Sequence, residues 1–145
     1  MEPTLGTLRT LVLVALLLFC MPVSATVVVK QSFDQRPVGL ASEYLLEQGE
    51  GWTIDQLLQQ QPSGWQQPQE ETPTYGIRQQ AIWIRLPVVN ATATDQLLAL
   101  EIAFPILDKV TAYVTSGRQV VNTFQMGDQF PFSSRPVPYH NLIIP

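Results

Sequence analysis

Cysteine is almost missing from this chain of 145 residues. The single one, Cys20, sits inside an apolar leader, which excludes a disulfide scaffold and a thiolate metal site from the rest of the sequence. Histidine is equally scarce. With His140 alone, the ring-nitrogen ligands of an ordinary transition-metal site cannot be assembled, and no metal or other cofactor is expected. Charge is sparse at 14%, and the eight basic residues are scattered singly from Arg9 to Arg135 against a net charge of −4. Without a basic patch there is no electrostatic footprint for a phosphate backbone, so nucleic acid is excluded as a partner. Also missing are a glycine-rich phosphate loop, a nucleophile elbow and a Ser/His/Asp set. Glu101 with Asp108 or Asp128 offers a carboxylate pair of the kind glycosidases use, but any all-β chain this rich in acids offers such pairs. The expectation is a protein that is not an enzyme.

What is present begins with a leader. Arg9 precedes an apolar run from Leu11 to Met21, and Pro22-Val23-Ser24-Ala25 follows with small residues at the −3 and −1 positions before Thr26. That order is a signal peptide over residues 1–25, the run being too short for the ~20 residues that span a hydrocarbon core. An uncleaved anchor is the alternative. A lipoprotein is disfavoured because Cys20 follows Phe19 rather than a small residue. In each case residues 26–145, about 120 residues and one domain, lie outside the cytoplasm, in the periplasm of a bacterial cell.

Within that domain the period is two. Thr26 to Lys30 and Glu43 to Glu47 read as short strands, and Thr53 with Gln56 forms a capping box opening one short helix that ends by Gln61, before Pro62. Residues 59–74 are rich in Gln, Pro and Glu around Trp65 and read as an irregular surface loop. From Gln80 to Asn90, Ile82, Ile84, Leu86 and Val88 alternate with Trp83, Arg85 and Val89, which predicts one strand with the isoleucine row buried. Asn90 to Asp95 is a turn; its Asn90-Ala91-Thr92 sequon is read as part of that turn. A strand over Leu97 to Phe104, a hairpin of Lys109–Thr115 with Arg118–Phe124 about Ser116-Gly117, a turn at Gly127-Asp128, a proline-punctuated crossing over 130–138 and a strand from Tyr139 follow. Strands about ten residues apart with a single helix predict an all-β, antiparallel β-sandwich of jelly-roll type. The sequence stops at Pro145 inside the last of these strands, which suggests a domain truncated at its C-terminal end.

The order Ile82-Trp83-Ile84-Arg85-Leu86, Asn90, Pro105-Ile106-Leu107-Asp108-Lys109-Val110, Tyr113, Gly127-Asp128, Ser134-Arg135-Pro136-Val137-Pro138 and Asn141 resembles one family. It is similar to the second type of extracellular domain of bacterial seven-transmembrane receptors with diverse intracellular signalling modules, the 7TMR-DISM group, best from Tyr75 to Pro145. One departure is Tyr139-His140, where that family often has His-Arg. The resemblance implies a fold like carbohydrate-binding modules, a periplasmic position ahead of a membrane-spanning region, and a cytoplasmic output such as a diguanylate cyclase or a histidine kinase.

The candidate ligand-binding residues are Trp83, Arg85, Tyr113 and Arg135. Trp83 and Arg85 share a strand face, where an aromatic ring stacks on the C–H face of a sugar and a guanidinium fork bonds paired oxygens. A saccharide or a carboxylate would suit them. The bland alternatives are that Trp83 packs into the second layer, Arg85 is solvated, Tyr113 makes an ordinary cross-strand pair, and Arg135 pairs with Asp128 or Glu101. Asp108 is expected to close its own loop by bonding backbone N–H groups. Two rivals to ligand sensing stand beside it: an interaction or homodimerisation module without a small ligand, and a fragment of a secreted hydrolase.

Overall fold

The computed structural model describes residues 26–145 apart from Phe33 and Glu50, so the leader expected over 1–25 lies outside the described residues. Eight strands and one α-helix follow in the order β1 (Val27–Val29), β2 (Glu43–Leu46), α1 (Ile54–Gln60), β3 (Ile82–Arg85), β4 (Val88–Asn90), β5 (Leu100–Ile102), β6 (Val110–Ser116), β7 (Gln119–Met126) and β8 (Leu142–Ile144), with 3-10 turns at Gly39–Ala41 and Phe132–Ser134. The all-β class expected from the period of two is what the chain adopts. Among the described residues the strands pair as four two-stranded ribbons.

The strand expected over 80–90 is broken in two by Pro87. Proline has no N–H to give a ladder and restricts the residue before it. β3 therefore ends at Arg85 and pairs antiparallel with β2, while β4 pairs with β1. That second pairing is parallel, Val27 facing Val88 and Val29 facing Asn90, and so departs from the antiparallel expectation. Its ends are closed by Val27 N donating to Pro87 O at 2.9 Å and Ala91 N to Val29 O at 2.9 Å. Val27 and Val29 are buried and Val28 faces outward, as alternation along one strand requires.

Helix α1 forms where the capping box lies. Thr53 accepts from Gln56 N at 3.3 Å, and the Gln56 side chain accepts from Thr53 N at 2.8 Å. The helix stops at Gln61, whose φ of 46 is left-handed, just before Pro62. Its one buried residue is Leu57. The 59–74 loop is irregular as expected, yet tied down: Gln66 exchanges two 2.8 Å backbone hydrogen bonds with Tyr44, on the edge of β2 that β3 leaves open.

The hairpin of β6 and β7 turns on Gly117 and Arg118, with Ser116 facing Gln119. Glycine takes the first central position with φ 59, the place where a two-residue hairpin turn needs a positive value. β5 is shorter than its alternating pattern predicts. Its ladder reaches only as far as its partner β8, which pairs Leu100 with Ile144 and Ile102 with Leu142, and Leu98 and Phe104 beyond it are exposed. Among the described residues the buried apolar side chains are Val27, Val29, Leu45, Leu57, Met126 and Leu142.

Candidate functional site

The register of β2 and β3 builds the site. Glu43 stands opposite Arg85 and Leu45 opposite Trp83, so these four side chains share one face of the ribbon. Leu45 and Glu43 are buried, at 8% and 9% exposure, whereas Ile84 on the opposite face is 55% exposed. The expectation that the isoleucine row is the buried one is therefore corrected: the Trp83 face is turned to the body of the domain. Both rows of this strand are largely apolar, and the partner decides between them, because a buried Glu43 draws Arg85 to its own side.

Arg85 Nε donates to Glu43 Oε2 at 2.6 Å, and the guanidinium carbon lies 4.2 Å from the centre of the Trp65 ring. Ion pair and ring face hold the same cation from two directions. With its side chain 45% exposed, Arg85 keeps water contact, so this pair orients the guanidinium more than it stabilises the fold. Trp83 and Tyr113 of β6 have nearly parallel rings, 19° apart with centroids separated by 6.1 Å. The Trp83 indole N–H donates to Glu47 Oε1 at 3.2 Å, and Trp52 N donates to the same oxygen at 2.9 Å. One carboxylate oxygen thus ties the segment after the Gly49 turn to the ring wall.

The hydrogen bond from Trp52 N holds the Glu47 carboxyl below its ordinary 4.5; partial burial opposes this and the Trp83 bond adds to it. A carboxyl lowered in the folded state stabilises above its unfolded value, near 4.5, and the contribution is lost as pH falls through the lower folded value. Urea midpoints measured from neutral pH downward are thus expected to show wild type ahead of Glu47→Gln at neutrality, with the gap closing in acid. A gap that stays constant with pH would assign the effect to packing instead of charge.

Among the described residues two buried donors carry no hydrogen bond: Trp65 Nε1 beside this wall, and Tyr75 OH on the opposite side of the ribbon, where Tyr44 shares the face of Ile84. Tyr75 packs on Tyr44 with ring centroids 4.9 Å apart, and Tyr44 OH donates to Gln66 Oε1 at 2.7 Å. Burial, with a smaller contribution from Tyr44, pushes the Tyr75 phenol above its ordinary 10.0.

Three of the four residues named from sequence, Trp83, Arg85 and Tyr113, meet in this cluster. Arg135 has its partners elsewhere: its Nη1 donates to Tyr139 O at 2.8 Å and His140 O at 2.7 Å, and its guanidinium lies 4.9 Å from the Phe132 ring. It fastens its own proline-rich segment. The pairing with Glu101 or Asp128 is not made; the Glu101 carboxylate accepts from Asn141 Nδ2. Asp108 closes its loop through its carbonyl, which accepts from Gln129 N at 3.0 Å, and not through a carboxylate cap. Asn90 makes the expected turn, its Oδ1 accepting from Thr92 N at 3.0 Å and Thr92 Oγ1 at 2.7 Å. Glu43, Glu47 and Trp65 were not among the sequence candidates. No local sequence signal marks Glu43, because its arginine partner lies across a strand pairing 42 residues away.

An open depression of about 320 Å³ beside β1 is lined, among the described residues, by Thr26, Val28, Lys30, Ser32 and Arg36, none of which belongs to this wall. The aromatic wall is the better candidate, because rings, a fixed guanidinium and carboxylates converge there. Among the described residues no cluster of His, Cys, Asp or Glu is placed to hold a metal ion. A family model described as 7TMR-DISM extracellular 2 matches residues 39–145. No curated protein and no solved structure matches the chain significantly.

Proposed function

The chain belongs to the 7TMR-DISM extracellular 2 family, and from that premise we propose that it is the ligand-sensing module of a bacterial membrane receptor, exported by its leader and folded as a jelly-roll-like sandwich. The ligand is a small molecule, a saccharide or a carboxylate, taken at the wall formed by Trp83, Arg85 and Tyr113. In the full-length receptor its occupancy shifts the population between two arrangements of the domain, to the extent that the ligand binds one better than the other. Membrane-spanning and cytoplasmic modules read that shift. The observation that carries this reading is the convergence of Trp83, Tyr113 and an oriented Arg85 on one side of the β2–β3 ribbon. Arg135, bound into its own segment, supports the fold near β8.

A second reading has its own support. Val28 of β1 and Val89 of β4 are register partners on one face of their ribbon, and both are exposed, at 38% and 51%. A docking or homodimerisation module would use such a surface.

Thermal unfolding in the presence of a panel of sugars and small carboxylates separates the two. A ligand at 100 times its Kd adds roughly 2.7 kcal/mol to the folded state. The expected result is a concentration-dependent rise in Tm with one chemical class, lost in Trp83→Ala and weakened in Arg85→Lys, whose ammonium cannot reproduce the planar fork. A shift that survives both substitutions would move the ligand away from this wall. No shift with any compound, together with a concentration-dependent mass in solution, would favour docking.

A further inference from the structure

We infer that Glu43 and Glu47 are specificity-determining residues that reserve the aromatic wall for an uncharged or cationic ligand and turn anions away. This rests on the wall being the ligand site, and it chooses between the two ligand classes left open above.

Arginine in a binding wall ordinarily argues for a carboxylate or phosphate ligand, because its fork pairs with two oxygens. Here one donor of that fork is already taken and the charge is partly balanced. Glu43 Oε2 accepts from Arg85 Nε at 2.6 Å, and Trp65 covers one face of the guanidinium at 4.2 Å. Glu43 is buried at 9% exposure while Arg85 keeps water contact, so the carboxylate fixes and partly offsets the cation beside it. Glu47 then brings a second carboxylate against the Trp83 ring edge. Arg85 stands opposite Glu43, and Glu47 follows four residues on along the same face, beyond Leu45 and Trp83. An approaching anion meets a cation already partly offset and a further negative charge along that face, whereas hydroxyl and ammonium groups find an acceptor. Glu47 Oε1 takes both the Trp52 and Trp83 N–H bonds, and Oε2 is used by neither. The Trp83 and Tyr113 ring faces favour the C–H face of a polyol or a cation, and not an anion, since a ring face is itself electron-rich.

The test uses three probes on one scaffold: D-glucose, D-glucosamine as its ammonium form, and D-glucuronate. Each is titrated into the mature chain at constant ionic strength, following intrinsic tryptophan fluorescence. The expected result is that D-glucuronate binds at least about tenfold more weakly than D-glucose, with D-glucosamine equal to or tighter than D-glucose. Glu47→Gln and Glu43→Gln, each preserving size, narrow the D-glucuronate deficit; Glu47→Gln keeps the test open should the Glu43 variant fail to fold. D-glucuronate binding as tightly as D-glucose, or a deficit unchanged in Glu47→Gln, overturns the inference and leaves the ligand site standing. Absence of saturable binding by all three probes overturns the ligand reading, and the inference falls with it.

Discussion

Alanine in place of Gly127 is expected to lower stability by on the order of 3 kcal/mol, among the largest losses from a single added methyl group in this domain. Two independent causes coincide there. The φ of 129 lies where side chains other than hydrogen are strained. A Cβ at Gly127 would also stand 2.5 Å from the Asp108 carbonyl oxygen and 2.7 Å from that of Leu107. Those are the two acceptors that close the junction, Leu107 O for Asp128 N at 2.8 Å and Asp108 O for Gln129 N at 3.0 Å. The methyl group therefore cannot be accommodated without opening the bonds that fasten the end of β7 to the loop before β6. Gly117 provides the comparison: its φ is 59, but nothing lies within 4 Å of an added Cβ. Gly117→Ala is expected to cost only the left-handed backbone strain, about 1–2 kcal/mol. The difference is read from urea midpoints at unchanged slope. Equal losses at the two glycines would show that the close approach to Asp108 contributes nothing.

Local chemistry was legible in the sequence, and partnership over distance was not. Thr53 and Gln56 announce α1 because capping is settled within four residues, and Ser116-Gly117 announces the hairpin for the same reason. The parallel pairing of β1 with β4 joins residues some sixty positions apart, and nothing in Val27-Val28-Val29 specifies which edge it seeks. The buried face of β3 escaped for a related cause. Alternation shows that two faces exist, but Ile82 and Ile84 on one and Trp83 on the other leave the choice to whatever lies across, here Glu43 and Leu45.

The site divides in the same way. Trp83, Arg85 and Tyr113 could be named because aromatic and guanidinium groups on strands carry chemistry wherever they fall. Their assembly depends on Glu43, Glu47 and Trp65, which the chain supplies from β2, from the residue just after it and from the loop after α1. Arg135 carried the same chemical promise. The carbonyls of Tyr139 and His140, only four and five residues onward, satisfy it locally.

Truncating Leu142 to alanine is expected to cost about 2–5 kcal/mol, the range for a buried leucine whose cavity cannot collapse. Leu142 is fully enclosed at 0% exposure, like Met126, and it sits on β8 facing Ile102 across a three-residue ladder. Such a short ladder offers few backbone hydrogen bonds, so the side chain carries much of the attachment of β8 to β5. Few other side chains share the load, because many large apolar residues here, Ile84, Leu98, Phe104 and Val121 among them, remain exposed. Val121, 60% exposed on β7, is the matching control. Val121→Ala is expected to stay within about 0.5 kcal/mol of wild type, as surface substitutions do. A loss at Val121 as large as that at Leu142 would mean that a partner surface covers β7 in solution, which would favour the docking reading over ligand sensing. A loss confined to Leu142 places the stabilising apolar contacts inside the domain, with the exposed valine of β7 contributing little to it.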